Sequence, residues 1–375
     1  MRLPLMRPSS RPRFIGSDVY RRSTYGERHP LSIPRVPLTI DLARALGWLD
    51  PGDYVECQAA SVAELARFHD PAYIAVIQEG ERSGRLDLEV MRRHNLGKLE
   101  NPVHPTMFLR PATAVGATLR AVDLVADGGT VYSPAGGTHH GQRDRAAGFC
   151  YFNDPVIGIL ALLDRGIAPV AYVDLDLHHG DGVEAAFAGD PRVLCLSVHE
   201  AGRWPHTGRA DDRAGGSARN FPVPPGMNDS ELDYLADAAI LPLLARLRPQ
   251  AIFVQAGADA LAEDPMGGQE LSNGAYWRMI ARLRDISPRL IVVGGGGYNP
   301  WAVARCWAGI WAELAGEAVP ARLPPAAEAV LRQVTWNRSQ GRNPPDHWFT
   351  TLADPPRPGP VRDAVKHLAD LSLAP

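Results

Sequence analysis

Six short runs, mostly continuous in apolar residues, recur along this chain: 13–17 (RFIGS), 129–133 (GTVYS), 168–177 (APVAYVDLDL), 192–198 (RVLCLSV), 250–256 (QAIFVQA) and 289–296 (RLIVVGGG). A strand that is apolar at every position, not at alternate ones, must be covered on both faces. Between these runs lie segments with helical periodicity, at 111–128, 230–249 and 274–287. Strand alternating with helix predicts an α/β protein, a parallel sheet with helices on both faces. The chain of 375 residues suits one large domain or two smaller ones. No boundary is visible within 10–345, so that span is read as one catalytic domain. Residues 346–375 are Pro-rich and read as a C-terminal arm or loose tail, with a short helix near 361–372. The stretches 80–106 and 199–229 read as long loops.

Composition narrows the function classes. A net charge of −3 gives no reason to expect nucleic-acid binding, and lysine is confined to Lys98 and Lys366. The four cysteines are scattered, with no CxxC pair, so neither a disulfide framework nor a thiolate zinc site is expected. The basic opening residues lack an apolar signal core, and no run reaches the ~18 apolar residues of a membrane span. A reducing cytoplasm is the expected compartment.

The chemistry is concentrated behind the strand at 168–177. In AYVDLDLHHGDGVEAAF (171–187), Val173, Leu175 and Leu177 alternate with Asp174, Asp176 and His178, with His179 and Asp181 following. Alternation sends the polar set to one face at the carboxyl end of the strand, where parallel sheets bind ligands. One such residue is ordinarily a solvated loop group. This density behind a buried strand calls for pairing or a cation, because isolated buried charges are costly. A carboxylate and an imidazole two residues apart suit zinc, whose catalytic sites keep three protein ligands and an open position. A third ligand must come from another strand end. Asp259, just after 250–256, is either that ligand or a helix N-cap.

A second histidine pair, His139 and His140, follows a strand and a Gly-Gly turn in SPAGGTHHGQRDRAAGFCYFND (133–154). Asp174 and Asp181 are carboxylates in excess of the metal's needs. A carboxylate bonded to imidazole fixes its tautomer and raises its basicity, so His–Asp dyads beside a metal would make an acid–base apparatus. Tyr298 follows four glycines in IVVGGGGYNPWAVARCW (291–307). It reads either as an oxyanion donor or as a loop tyrosine packed on Trp301. The glycine run lacks the GK[ST] ending of a phosphate loop.

Together with GADALAEDPM (257–266), the stretches 133–154, 171–187 and 291–307 resemble the histone deacetylase superfamily, over roughly residues 14–315. The stretch at 16–49 and ENPVHPTMF (100–108) are most similar to its bacterial, acetoin-utilisation-type branch. The resemblance implies the arginase/deacetylase fold, an eight-stranded parallel sheet flanked by helices. It implies a Zn²⁺-dependent hydrolase that releases acetate, or another short acyl group, from an amine, with Fe²⁺ as an alternative metal. It places the metal ligands at Asp176, His178 and Asp259. It pairs His139 with Asp174 and His140 with Asp181, and makes Tyr298 the oxyanion donor. It puts substrate-binding positions at Gly148, Phe149, Trp204 and Met266, and at Glu100 as a rim residue able to hold a substrate backbone. It also implies a structural K⁺ near Asp174 and Ser197. A loosened loop is expected at Gly141, where the family commonly has Ala. His179 is left as a structural residue. A ureohydrolase and a non-catalytic acyl-group binder on the same fold are the alternatives. The substrate is an acetylated amine, small or on a protein lysine, and homo-oligomer formation is left open.

Overall fold

A computed structural model describes residues 11–22, 25–26 and 29–374. Residues 1–10, which carry most of the basic opening stretch, lie outside the described set. Eight parallel strands form one sheet: β1 (Arg13–Gly16), β2 (Tyr54–Glu56), β3 (Gly129–Ser133), β4 (Val170–Asp174), β5 (Val193–Glu200), β6 (Ala218–Val223), β7 (Ala251–Gln255) and β8 (Arg289–Val293). Their spatial order is β2-β1-β3-β8-β7-β4-β5-β6.

The apolar runs behave as two-faced burial requires. Ala171 and Val173 of β4, Ile252 and Val254 of β7, and Leu290 and Val292 of β8 enter one core layer. Their neighbours Val170, Tyr172, Ala251, Phe253, Ile291 and Val293 enter the layer on the other face. The first layer is closed by the helices Arg35–Ala45, Asn273–Arg284 and Pro300–Ala315. The second is closed by Leu109–Leu124 and Asp154–Asp164. β3 leads outward to β1 and β2, whereas β4 leads outward to β5 and β6. The order in which successive strands are laid down therefore reverses across the centre of the sheet. That reversal leaves a crevice beyond the carboxyl ends of the central strands, where open α/β sheets hold ligands.

Four expectations change. Residues 199–229 are not one long loop, because β6 lies within them and pairs with β5. Residues 80–106 contain the end of the helix Pro71–Ser83, stopped by left-handed Gly84, and the helix Leu88–His94, stopped by left-handed Asn95. The helix expected over 230–249 is interrupted by a π-segment, Ala236–Ile240, just before Pro242. Proline has no N–H for the ladder, and a one-residue bulge absorbs the defect. The C-terminal segment is not a loose tail. Trp348, Phe349 and Leu352 are core residues, and Val365, Leu368 and Ala369 of the helix Asp363–Leu373 pack in the same layer. Arg219 Nε, on β6, donates to the Ser372 carbonyl. None of the described helices is long and apolar enough to cross a membrane.

Candidate active site

The four central strands each deliver part of one site. Asp176 and His178 follow β4, Asp259 follows β7, Tyr298 follows β8, and His139 and His140 follow β3.

The first group is Asp176, His178 and Asp259, whose donor atoms all lie within 4.8 Å of one another. His178 Nδ1 stands 3.1 Å from Asp259 Oδ2 and 3.4 Å from Asp176 Oδ1. The other carboxylate oxygens are spoken for. Asp176 Oδ2 accepts from the Gly296 N–H at 2.7 Å, and Asp259 Oδ1 accepts from the Leu177 N–H at 3.0 Å. These bonds aim Asp176 Oδ1, which also accepts from the His178 N–H at 3.1 Å, and Asp259 Oδ2 at the imidazole. The glycines around them are required by space: a Cβ on Gly257 would lie 2.0 Å from Asp176 Oδ2, and one on Gly296 would lie 2.0 Å from Asp259 Oδ2.

The electrostatics of this group favour a cation. Burial opposes charge on His178, yet its bonds to the two carboxylates push the imidazole up to about 10. Asp176 is held far below the usual carboxylate range, against its burial, by His139 and His178. Two buried carboxylates and one imidazole form an oxygen–nitrogen donor set suited to Zn²⁺ or Fe²⁺, so the residues present fit the metal the resemblance implies.

Beside it stand the two dyads. His139 Nδ1 lies 2.7 Å from Asp174 Oδ2, and its Nε2 is 3.8 Å from Asp176 Oδ1. Asp174 also accepts from the Tyr172 hydroxyl at 2.7 Å and from the Asp176 N–H at 3.0 Å. His140 Nδ1 lies 2.7 Å from Asp181 Oδ1, and Gln142 Nε2 donates to Asp181 Oδ2 at 3.1 Å. The two imidazoles sit in contact, 3.9 Å between centroids, but their protonation diverges. Burial disfavours the His139 cation, but Asp174 and Asp176 outweigh it and push the group up to about 9. Burial, reinforced by the positive charge of His139, pushes His140 down to about 3. One imidazole is thus kept charged and its neighbour kept neutral, so that the second can accept a proton, the separation of roles that acid–base chemistry uses.

The loop carrying both histidines is held by residues whose part the sequence did not reveal. Buried Asp154 accepts from the Gly137 and Thr138 N–H groups at 3.0 and 2.8 Å. Asn153 caps its helix by accepting from the Val156 N–H, and its Nδ2 donates to the carbonyls of His139 and Gly141. Gly141 does not loosen this loop. A Cβ there would stand 3.0 Å from the Phe152 carbonyl carbon and 3.1 Å from the Asn153 nitrogen, so the glycine permits close packing.

Tyr298, 7% exposed, opens on the same narrow cavity as His139, His140, Asp176 and His178. Burial, then Asp259 and Asp176, raises its phenol well above 10, so it remains a donor at any working pH. Its backbone N–H is held by Asp264, a carboxyl that burial and the nearby Asp259 push up to about 8. Arg35, also unassigned from the sequence, donates to the Gly295 carbonyl at 2.6 Å and lines the cavity.

The expected substrate positions are distributed more widely. Gly148 and Phe149 line the cavity, and the Phe149 ring meets Tyr298 edge-on at 5.9 Å. Trp204 is 38% exposed and lies edge-on to His140 at 4.6 Å, at the site's outer side. Met266 is half-buried and packs in the same cluster as Phe149 and Tyr298. Glu100, the expected rim residue, is half-buried, and its Oε1 accepts from the Gly148 N–H at 2.7 Å. Asp174 and Ser197 are register partners across β4 and β5, with Ser197 Oγ 2.9 Å from His199 Nδ1. His179 is fixed between Thr207 and Glu184 at 2.8 and 3.1 Å.

Comparisons with known proteins agree on one family. A histone deacetylase domain model matches residues 29–314. The acetoin utilization protein AcuC of Bacillus subtilis (strain 168) is 35% identical over 327 residues, covering 83% of this chain and 84% of its own. Histone deacetylase 8 of Xenopus tropicalis is 32% identical, covering 77% of this chain and 80% of its own. A crystal structure of an HDAC homolog complexed with SAHA superposes with a TM-score of 0.92 at 34% identity, over 97% of this chain and 100% of the other. A crystal structure of an HDAC homolog from Aquifex aeolicus does so with the same score and coverage at 33% identity.

Proposed function

The chain belongs to the histone deacetylase family, and on that premise we propose that it is a Zn²⁺-dependent amidohydrolase that removes an acetyl or other short acyl group from an amine. The observation that carries this reading is the convergence of two His–Asp pairs, each at 2.7 Å, beside a buried Asp–His–Asp donor set. A passive acyl-group binder has no use for two differently protonated imidazoles.

Asp176, His178 and Asp259 would hold the metal. When bound, the metal supplies Lewis acidity toward an acyl carbonyl and makes water a nucleophile near neutral pH. His140, its Nδ1 committed to Asp181, uses Nε2 to take the water proton and to return it to the departing amine nitrogen. The products are a carboxylic acid and a free amine. His139, kept charged by Asp174, orients and supports the developing negative charge. Tyr298 donates its hydroxyl proton in a hydrogen bond to the acyl oxygen as it becomes an oxyanion. Phe149 supplies one wall for the linear acyl-amine chain. Fe²⁺ in place of Zn²⁺, a structural K⁺ at Asp174 and Ser197, and a cytoplasmic location belong to the same proposal.

The test is acetate release from acetyl-lysine peptides, acetylpolyamines and small acetylated amines, with purified enzyme reconstituted with Zn²⁺ or Fe²⁺. We expect release from at least one class, and loss of both metal and activity in Asp259→Asn. Full activity in Asp259→Asn would refute the ligand set. No release from any class with either metal would favour the binder.

A further inference from the structure

The stretch 94–102, running from the end of the helix Leu88–His94 toward the helix Leu109–Leu124, does something the catalytic proposal does not use. It grips the loop that carries Phe149, bond by bond. The His94 carbonyl accepts from the Ala146 N–H at 3.1 Å, and Asn95 Nδ2 donates to the Ala146 carbonyl at 3.0 Å. Glu100 Oε1 accepts from the Gly148 N–H at 2.7 Å, and Asn101 Oδ1 accepts from the Phe149 N–H at 3.1 Å.

The last two bonds fall on a strained place. Gly148 and Phe149 are consecutive left-handed residues, with φ of 52° and 69°. For phenylalanine that conformation costs of order 1–2 kcal/mol and persists only when the surroundings impose it. Two successive left-handed residues turn two successive N–H groups the same way, and Glu100 and Asn101 are the acceptors that receive them. The same geometry turns the Phe149 ring edge-on to Tyr298, at 5.9 Å, and to His29, at 4.7 Å. Glycine at 148 is obligatory, since a Cβ there would lie 2.5 Å from the His140 ring and 2.6 Å from the Trp204 ring. The Asn101 side chain is fully buried and is itself fixed by donating to the Asn95 carbonyl.

We propose that Glu100 is a positioning residue that, with Asn101, holds the Gly148–Phe149 wall in its left-handed conformation and so sets the grip on the acyl-amine chain without touching substrate. This deepens the proposed amidohydrolase function and rests on it. A wall that holds the chain equally in ground and transition states acts on KM more than on kcat.

The test compares Glu100→Gln, Glu100→Ala and Glu100→Asp in the metal-reconstituted full chain. The probes are whichever acetylated amine the wild type hydrolyses and hydrogen–deuterium exchange across 147–151. A glutamine oxygen accepts the same Gly148 N–H, whereas aspartate is one methylene too short. We expect Gln to stay within about threefold of wild type and Ala and Asp to lose about tenfold, chiefly in KM. Exchange at 147–151 should quicken in Ala and Asp alone. If Gln were as impaired as Ala with exchange unchanged in all three, the carboxylate charge would be acting on substrate and the proposal would fall. It would also fall if Ala matched wild type in both readouts. Absence of hydrolysis by the wild type would overturn the amidohydrolase reading instead, and exchange would still decide whether Glu100 holds the wall.

Discussion

Replacing Tyr298 by phenylalanine removes one oxygen and leaves nearly everything else in place. No described residue bonds to that hydroxyl, the ring keeps its edge-on contact with Phe149, and the backbone N–H stays on Asp264. Folding stability should therefore change by no more than about 0.5 kcal/mol, the range of substitutions that break no partnered group. Metal content should not change, since the tyrosine is no part of the donor set. The catalytic loss should be large, because the hydroxyl sits in a buried site where a fixed donor acts on a developing oxyanion through a low dielectric. Removing one such donor costs about 10²–10³ in kcat, or about 2.7–4 kcal/mol of barrier. The phenol titrates well above 10, so the ratio of wild-type to variant rate should be flat between about pH 6 and 9. Steady-state kinetics across that range, with metal analysis and thermal unfolding of both proteins, read all three quantities. A variant within about threefold of wild-type kcat, or a loss that tracks metal content or melting temperature, would refute the oxyanion role.

Other outcomes follow from the same geometry. Gly257→Ala should abolish metal binding while the chain stays folded, because the new Cβ collides with Asp176 Oδ2; metal titration of the purified variant measures it, and wild-type affinity would contradict the packing argument. Acid should destabilise the fold through buried neutral histidines. His29, His69 and His104 are each pushed down to about 4, above all by burial. An unfolded chain takes up these protons near pH 6.5 and the folded one only near 4, so the stability they contribute is present above pH 6.5 and is lost as pH falls toward 4. For His69, whose Nε2 accepts from the Asn153 N–H, this amounts to about 3 kcal/mol. Urea unfolding between pH 7 and 4.5 should show the decline, and His69→Gln should flatten it; an unchanged slope in that variant would exclude His69 as a source.

How far the sequence could be read depended on whether burial or pairing decides a residue. β3, β4, β7 and β8 were legible because both faces are covered, which forces unbroken apolar runs. β2 and β6 were not. They are the edge strands of the sheet, β2 is partly exposed along its length, β6 contains Pro222, and each is a strand by virtue of the neighbour it pairs with. Asp174, Asp176 and His178 stood out because so many ionisable groups behind a core strand must pair with one another or hold a cation to be buried at all. Asn153 and Asp154 did not, since Asn at a helix start is already satisfied as a cap; only the fold shows that Asn153 also holds the His139 and Gly141 carbonyls. Glu100 could be placed near the site from its motif, but nothing local tells whether its carboxylate meets solvent, substrate or a backbone N–H 48 positions away.

The docked C-terminus bears on how the protein can be made. Arg305 is completely buried in the helix Pro300–Ala315, where its guanidinium pairs with Glu263 and with Asp354. A buried cation stripped of one partner destabilises its surroundings by about 3–5 kcal/mol. During synthesis, Asp354 is added 49 residues after Arg305, and the helix Asp363–Leu373 that lies on β6 is later still. Residues 176, 178 and 259 are all added before either of them. A chain halted short of Asp354 would leave Arg305 without its second carboxylate.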